Sequence, residues 1–531
     1  MSQRPKTLLI FLFILFFIFT DKGADSKSAT DRTPLQAAIF EGRSDVVSLL
    51  LDKGGDLQSQ KADEALLLAC RIMIQTTSSK AAQNSAPIIK MLLDHGINPN
   101  LKIEHRGWTD TPLMEAVRAG NTAGVKLLLE AGADPRKVKY GRGSGTLLEL
   151  VVQKKDPEIT RALIPHFLPL PDEARESLIK AFLQYGNPVN LPVLNQYGIK
   201  ISELKKSDPD AAVRGLVNAV DEDKMDMVDA LLGEGVDINA SGYNQTPLTA
   251  AVGYNNEKMA DFLISRGADV NRADRTGMTP LAAAVGQANF EIYKFLRSKK
   301  ADPVSKDPAR PYLLRAVANL AYSPVYGRDN GSLDIIRDLL AAGNPADQAD
   351  PGGVTPLWAM AAEQPRDSDG QQRLSDAAHL LLEHHATVDW VPQDCKRMLR
   401  LSQRVPAGAS AEEPGSRLSD GVGIMDPGQQ ADLLCRTPLS NAAAAGNRVM
   451  AGILIAAGAD VNWPSPSDGQ TPLMHAAYCG DPGLVSLLLS RGADGNMRDM
   501  KNQTAADVAR LQNNTKACAI LKSAVKTGGP R

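Results

Sequence analysis

The tripeptide Thr-Pro-Leu recurs at Thr33, Thr111, Thr246, Thr279, Thr355, Thr437 and Thr471, each time opening an alanine-rich stretch. Thr246 and Thr279 are 33 residues apart, Thr437 and Thr471 are 34 apart, and Thr471 is followed 33 residues later by Thr504. Downstream of most copies stands a second signature: "LLLEAGADP" from Leu127, "FLISRGADVN" from Phe262, "ILIAAGADVN" from Ile453 and "LLLSRGADGN" from Leu487. A period of this length means one supersecondary unit repeated in a stack, because no such unit can bury its apolar face alone.

Each part of the unit has a physical reading. Thr caps a short first helix, and Pro at the first helical position gives up an N–H that has no partner there anyway. Leu and small alanines pack that helix against its neighbours. A glycine such as Gly120 or Gly480 ends it by accepting a positive φ. Runs such as "VVSLLLDKG" and "LVSLLLSRG" form the second helix, apolar at spacings of three and four. Gly-Ala-Asp then turns the chain into a projecting hairpin.

These residues resemble ankyrin repeats, several copies almost position for position. The resemblance implies an all-α repeat solenoid of helix-turn-helix units joined by β-hairpins or loops. Weaker copies fill the gaps in the period. A degenerate unit is expected over Ala174–Ser202, another starts at Val213 and keeps "MVDALLGEGVDINA", and Tyr312 opens a third. Longer loops at Gln75, Tyr322 and Glu363 absorb the remaining residues, giving about thirteen units that end in a polar cap.

Two segments depart from the pattern. Residues 1–24 carry Arg4 and Lys6 followed by an apolar run from Leu8 to Phe19, the layout of an export signal. That run is shorter than the ~20 residues of a comfortable spanning helix. Lys22 and Ala24 make a poor cleavage site, so a cleaved signal and a retained anchor both stay open. Either way, the basic flank sends the remainder across the membrane, to a periplasmic or other extracytoplasmic location. The array then runs over residues 25–391 and resumes over 437–531. Between them, Pro392–Arg436 is rich in Pro, Gly, Ser and charge, and reads either as a disordered loop or as a broken repeat with a long insertion.

The charge balance, 59 basic against 61 acidic residues, lacks the basic footprint that nucleic acid requires. Five cysteines show no metal-finger spacing. In an oxidising compartment Cys395 and Cys435, which flank the irregular segment, are the candidate disulfide. Phosphate-loop, nucleophile-elbow, zinc-protease and dinucleotide motifs are absent, and the Gly-Ala-Asp turns lack the ligand pattern of a calcium loop. His475 and Cys479 stand four residues apart on one helical face, yet they fill repeat slots that hold other residues elsewhere, and no orienting third group accompanies them. His384 and His385 close a second helix, where cations suit the helix dipole. No cofactor, metal or enzymatic activity is expected.

In ankyrin-like proteins the partner meets the hairpin tips and the exposed first-helix positions that line a groove. Carried onto this chain, the resemblance marks Phe40, Glu41, Arg118, Tyr254, Gln287 and Tyr478 at first-helix ends. At or near the tips it marks Trp108, Tyr243, Asn244, Met278, Trp463 and Gln470. Aromatic and Arg side chains are the usual anchors of binding energy; the alternative for each ring is packing between adjacent hairpins. The expected function is that of a non-enzymatic scaffold, monomeric and exported, which binds a protein and either inhibits or protects an exported enzyme. The alternative is an effector delivered to another cell to bind host proteins. The membrane is expected to enter only through the N-terminal segment.

Overall fold

A computed structural model describes residues 33–53, 60–71, 80–105, 108–137, 139–140, 145–205, 208–309, 311–320, 331–364, 368–391 and 435–527. The chain forms two compact units, Met1–Tyr243 and Asn244–Arg531. In the first, helices pair as α1 (Pro34–Phe40) with α2 (Ser44–Asp52) and α3 (Gln60–Arg71) with α4 (Lys80–Asp94). Next come α5 (Pro112–Ala119) with α6 (Thr122–Glu130) and α7 (Leu147–Val151) with α8 (Pro157–Leu163). The last pairs of this unit are α9 (Asp172–Tyr185) with α10 (Leu191–Gln196) and α11 (Ala211–Asp221) with α12 (Met225–Gly233).

The second unit opens with α13 (Pro247–Gly253) and α14 (Glu257–Ser265), then α15 (Pro280–Gly286) and α16 (Phe290–Ser298). It continues with α17 (Tyr312–Ala318) and α18 (Ser332–Ala341), and with α19 (Pro356–Ala361) and α20 (Ser368–Glu383). Three further pairs follow: α21 (Pro438–Ala445) with α22 (Arg448–Ala456), α23 (Pro472–Cys479) with α24 (Pro482–Ser490), and α25 (Ala505–Leu511) with α26 (Thr515–Thr527). Thirteen helix pairs therefore stand among the described residues, as the period predicts. The degenerate unit is real, its first helix starting at Asp172 rather than Ala174.

Among the described residues, sheet is confined to two antiparallel hairpins, β1 (Ile103–His105) with β2 (Trp108–Asp110) and β3 (Lys139–Tyr140) with β4 (Gly145–Thr146). Within each unit, first helices pack on first helices and second helices on second helices of the next layer. The Leu of each tripeptide except the half-buried Leu35 lies in the core, with one apolar face of the second helices.

The caps follow the sequence. Thr33, Thr111, Thr246, Thr279, Thr355, Thr437, Thr471 and Thr504 each accept the N–H three residues on. Gly120, Gly446 and Gly480 end their helices in the left-handed region. In α15 the same slot falls to Ala288, at φ 53°.

Asn and Asp side chains join one layer to the next. Asn100 accepts the Asp134 N–H at 2.7 Å and donates to the Gly132 carbonyl at 2.9 Å. Asn462 repeats the pattern with Asp494 at 2.8 Å and Gly492 at 3.1 Å. Amides also reach back to the layer before: Asn84, in α4, donates to Gly42 at 2.8 Å, Asn319, the C-cap of α17, to Val285 at 2.9 Å, and Asn514, just before α26, to Ala477 at 2.9 Å. The Gly-Ala-Asp-x-Asn signature is thus a hydrogen-bonding device between repeats as well as a turn.

The irregular segment interrupts the sequence without interrupting the stack. Helix α19 packs on α21, and α20 on α22. Asn447 donates to the Glu363 carbonyl at 2.9 Å, the Trp358 indole to Arg436 at 2.8 Å, and the Asp460 N–H to the Asp389 carboxylate at 3.1 Å. No helix pair is interposed between these layers. Residues 1–32 and 392–434, with Leu8–Phe19 and Cys395, lie outside the described residues.

Candidate functional site: first-helix ends and hairpin tips

The slots expected to vary do not all stand open. Tyr243, Tyr254 and Tyr478 are 60%, 64% and 59% exposed. Tyr254 caps the end of α13 and Tyr478 lies in the last turn of α23. Tyr243 and Asn244 form a two-residue turn with φ of 51° and 68°, a conformation that suits Asn and is costly for an aromatic residue. The Arg214 guanidinium lies 5.9 Å from the centre of the Tyr243 ring. Gly242 beside it rests on the Arg214 backbone, where an added Cβ would come within 2.8 Å of the nitrogen.

Other positions are partly engaged. Glu41 is exposed and Phe40 half-buried. Met278 is half-buried, its N–H held by Asp274 at 3.0 Å. Gln287 is exposed, but its amide donates to the Gly253 carbonyl of the layer before. Asn244 is exposed and Gln470 half-buried, its N–H held by Asp468 at 2.9 Å. Trp463 is half-buried, with its indole N–H enclosed and unbonded among the described residues. Trp108 is placed by its backbone, paired with His105; its side chain lies outside the description.

Arg118 leads to a cluster that no sequence motif announced. Its Nη1 contacts Asp110 at 2.9 Å and Glu115 at 2.6 Å. Glu115, 3% exposed in its side chain, also takes Arg71 Nε at 2.8 Å from the end of α3. Lys154, in the loop after α7, donates its ammonium to the Arg118 carbonyl at 2.8 Å. Burial, and then the Arg118 guanidinium, push the Lys154 ammonium below the usual lysine range. Three successive first-helix ends are tied together in this way. The one local signal was Glu115 itself, a carboxylate in a slot filled elsewhere by Ala359, with Arg118 one turn on.

His475 is 3% exposed, and its Nε2 has no hydrogen bond. Burial, and then nearby Arg436, push its pKa down to about 3, so the ring is neutral at ordinary pH. Cys479 is exposed, and burial of its sulfur together with Asp481 raises its pKa. A neutral imidazole beside a protonated thiol is not arranged for nucleophilic chemistry. Cys70 and Cys518 are buried free thiols, whereas Cys435 is disulfide-bonded. Among the described residues no group of three or more His, Cys, Asp or Glu could hold a metal ion. Among them too, no helix is long and apolar enough to cross a membrane.

Stacked helix pairs with capped first helices and Gly-Ala-Asp turns define a class of repeat solenoid. Comparison with known families supplies the particular one. Models described as ankyrin repeats (three copies) and ankyrin repeat match residues 73–139, 216–307 and 420–524, and residues 30–62, together more than half of the chain. The chain belongs to the ankyrin repeat proteins.

Similar proteins are spread widely. An ankyrin repeat and KH domain-containing protein of Caenorhabditis elegans is 25% identical over 45% of this chain and 8% of its own length. A putative ankyrin repeat-containing protein of Treponema pallidum is 30% identical over 24% and 39%. A putative ankyrin repeat protein of Rickettsia felis is 25% identical over 49% and 71%. The chain thus spans only a minor part of the first two relatives.

Proposed function

We propose that this protein is a non-enzymatic scaffold, exported across a membrane, that binds a protein partner through its first-helix ends and hairpin tips. One observation carries the reading: a framework that buries most of its Thr, Leu and Ala leaves large rings exposed at the variable positions, at Tyr243, Tyr254 and Tyr478. An exposed ring stabilises its own fold little and is a common anchor of interface energy. The family is in keeping with this role.

Export is supported by Arg4, Lys6 and the apolar run Leu8–Phe19. The disulfide state of Cys435 agrees with an oxidising compartment, and Cys395 is the proposed partner, across the irregular segment. Within this reading the partner is an exported enzyme, which the scaffold inhibits or protects.

A reporter active only outside the cytoplasm, fused after Arg531, tests export: it is expected to be active, and activity from a cytoplasmic reporter alone would sink the claim. Affinity capture from the envelope fraction with residues 25–531 tests the surface. Substituting Tyr254 and Tyr478 by Ser is expected to weaken capture about tenfold or more. Unchanged capture would remove these rings from the interface.

A further inference from the structure

The last layers of the second unit carry an apolar strip that the repeat framework does not require. Tyr478 and Leu511 stand 33 residues apart, each seven residues after its capping Thr, so they fill one slot in neighbouring layers. They are 59% and 60% exposed. In the layer before, that slot holds Ala444, followed by Ala445 and Gly446, all half-buried. The strip is continuous from layer to layer. A Cβ on Gly446 would come within 2.9 Å of Cys479 Sγ and 3.4 Å of Gln364 Nε2, which belong to the layers on either side. Met500, in the loop that leads into α25, adds a third exposed apolar side chain.

Charge is scarce along this strip. The Cys479 thiol stays protonated, its pKa raised by burial of the sulfur and then by Asp481. The charged groups that flank it in sequence are already paired, Arg448 with Asp481 at 2.6 Å and Arg510 with Asp507. Glu363, half-buried at the end of α19, is held above the usual carboxylate range by burial. In the first unit the slot of Tyr478 and Leu511 holds Arg118, bonded to Asp110 and Glu115. An ionised partner side chain laid on the C-terminal strip would lose its water without meeting a free counter-charge. An apolar one meets no such cost and removes Tyr478 and Leu511 from water.

We propose that Tyr478 and Leu511, with Ala444 and Ala445 beside them, form a docking strip for an uncharged, apolar segment of the protein partner. The step down from the Tyr478 ring to the alanines receives a side chain of Leu or Phe size. Selectivity comes from the missing charge, which disfavours acidic and basic segments alike. This assignment rests on the protein-binding reading and specifies the partner's chemistry.

The test uses the full chain and three fluorescent peptides of equal length, followed by anisotropy. One alternates Leu and Gly, one has each Leu replaced by Glu, one has each Leu replaced by Lys, and all carry the same polyethylene glycol tail. The Leu peptide is expected to bind saturably, with equal affinity at ionic strengths of about 20 mM and about 500 mM. The charged peptides are expected to bind about tenfold more weakly or worse. Leu511→Lys places a cation at a helix C-terminus, which suits the dipole, so the thermal midpoint should hold. It is expected to weaken the Leu peptide about tenfold and to tighten the Glu peptide. Tyr254→Ser, several layers away, is expected to leave the Leu peptide unaffected.

No saturable binding of the Leu peptide, equal affinity for a charged peptide, or an unchanged affinity in Leu511→Lys would each overturn the proposal. So would a loss in Tyr254→Ser equal to that in Leu511→Lys, or tighter binding to phosphatidylcholine vesicles than to the peptide. Envelope capture that is lost on substituting Tyr254 but persists in Leu511→Lys would overturn it too, while leaving the protein-binding reading standing.

Discussion

At the scale of single residues, backbone conformation and burial separate those that serve the repeat from those that cost it stability. Ala288 occupies a left-handed slot that Gly446 and Gly480 fill without strain. Ala288→Gly is expected to raise stability by about 0.5–1 kcal/mol, the relieved Cβ clash exceeding the entropy that glycine adds to the unfolded chain. A lower urea midpoint would show instead that the Ala288 methyl packs usefully.

His475 makes a pH prediction. Its pKa is about 3 in the fold and near 6.5 when unfolded, so the unfolded chain binds the extra proton between these values. The contribution of the neutral ring is fully present above about pH 6.5 and is lost as pH falls toward 3. At pH 4.5 the loss should amount to about 2–3 kcal/mol. Urea unfolding at pH 7 and 4.5 should show it, and His475→Asn, which copies Asn441 in the layer before, should remove most of the difference. An equal pH dependence in the variant would place the titration elsewhere. The sequence made the slot of His475 legible; its neutrality follows from the layers packed on it.

Among the helices, the caps were readable because each is a contact within four residues, fixed by Thr, Pro and Asn wherever the period places them. The links between layers were not, since Asn447 bonds to Glu363 across 84 residues. That side chain also caps α22 by accepting the Met450 N–H at 3.0 Å. Asn447→Ala is expected to cost about 2 kcal/mol, from a lost cap and a half-buried carbonyl left without its donor. Hydrogen exchange should quicken first in α22 and in the last turn of α19. A change within about 0.5 kcal/mol, as at an ordinary surface position, would show that the junction is held by packing alone.

For the molecule as a whole, the consequential fact is that α19 and α20 stack directly on α21 and α22. The sequence left residues 392–436 open between a loop and a broken repeat, because composition cannot tell an excursion from a lost layer. Replacing residues 396–434 by a short Gly/Ser bridge is therefore expected to leave the helical circular dichroism of the second unit and the exchange protection of α20 and α22 intact. Loss of that protection would mean that the segment supports the stack.

The sequence by itself determined the repeat, its caps, its turns and its buried positions, because each is enforced by φ, hydrogen bonding and apolar spacing inside one unit of about 33 residues. Only the tertiary structure decided which side chains meet between units. Arg71 reaches Glu115 across 44 residues and Lys154 reaches Arg118 across 36, distances set by the loops and hairpins between their helices as much as by the period. A contact between layers depends on the register in which they stack, and that register is a property of packed helices rather than of any one repeat.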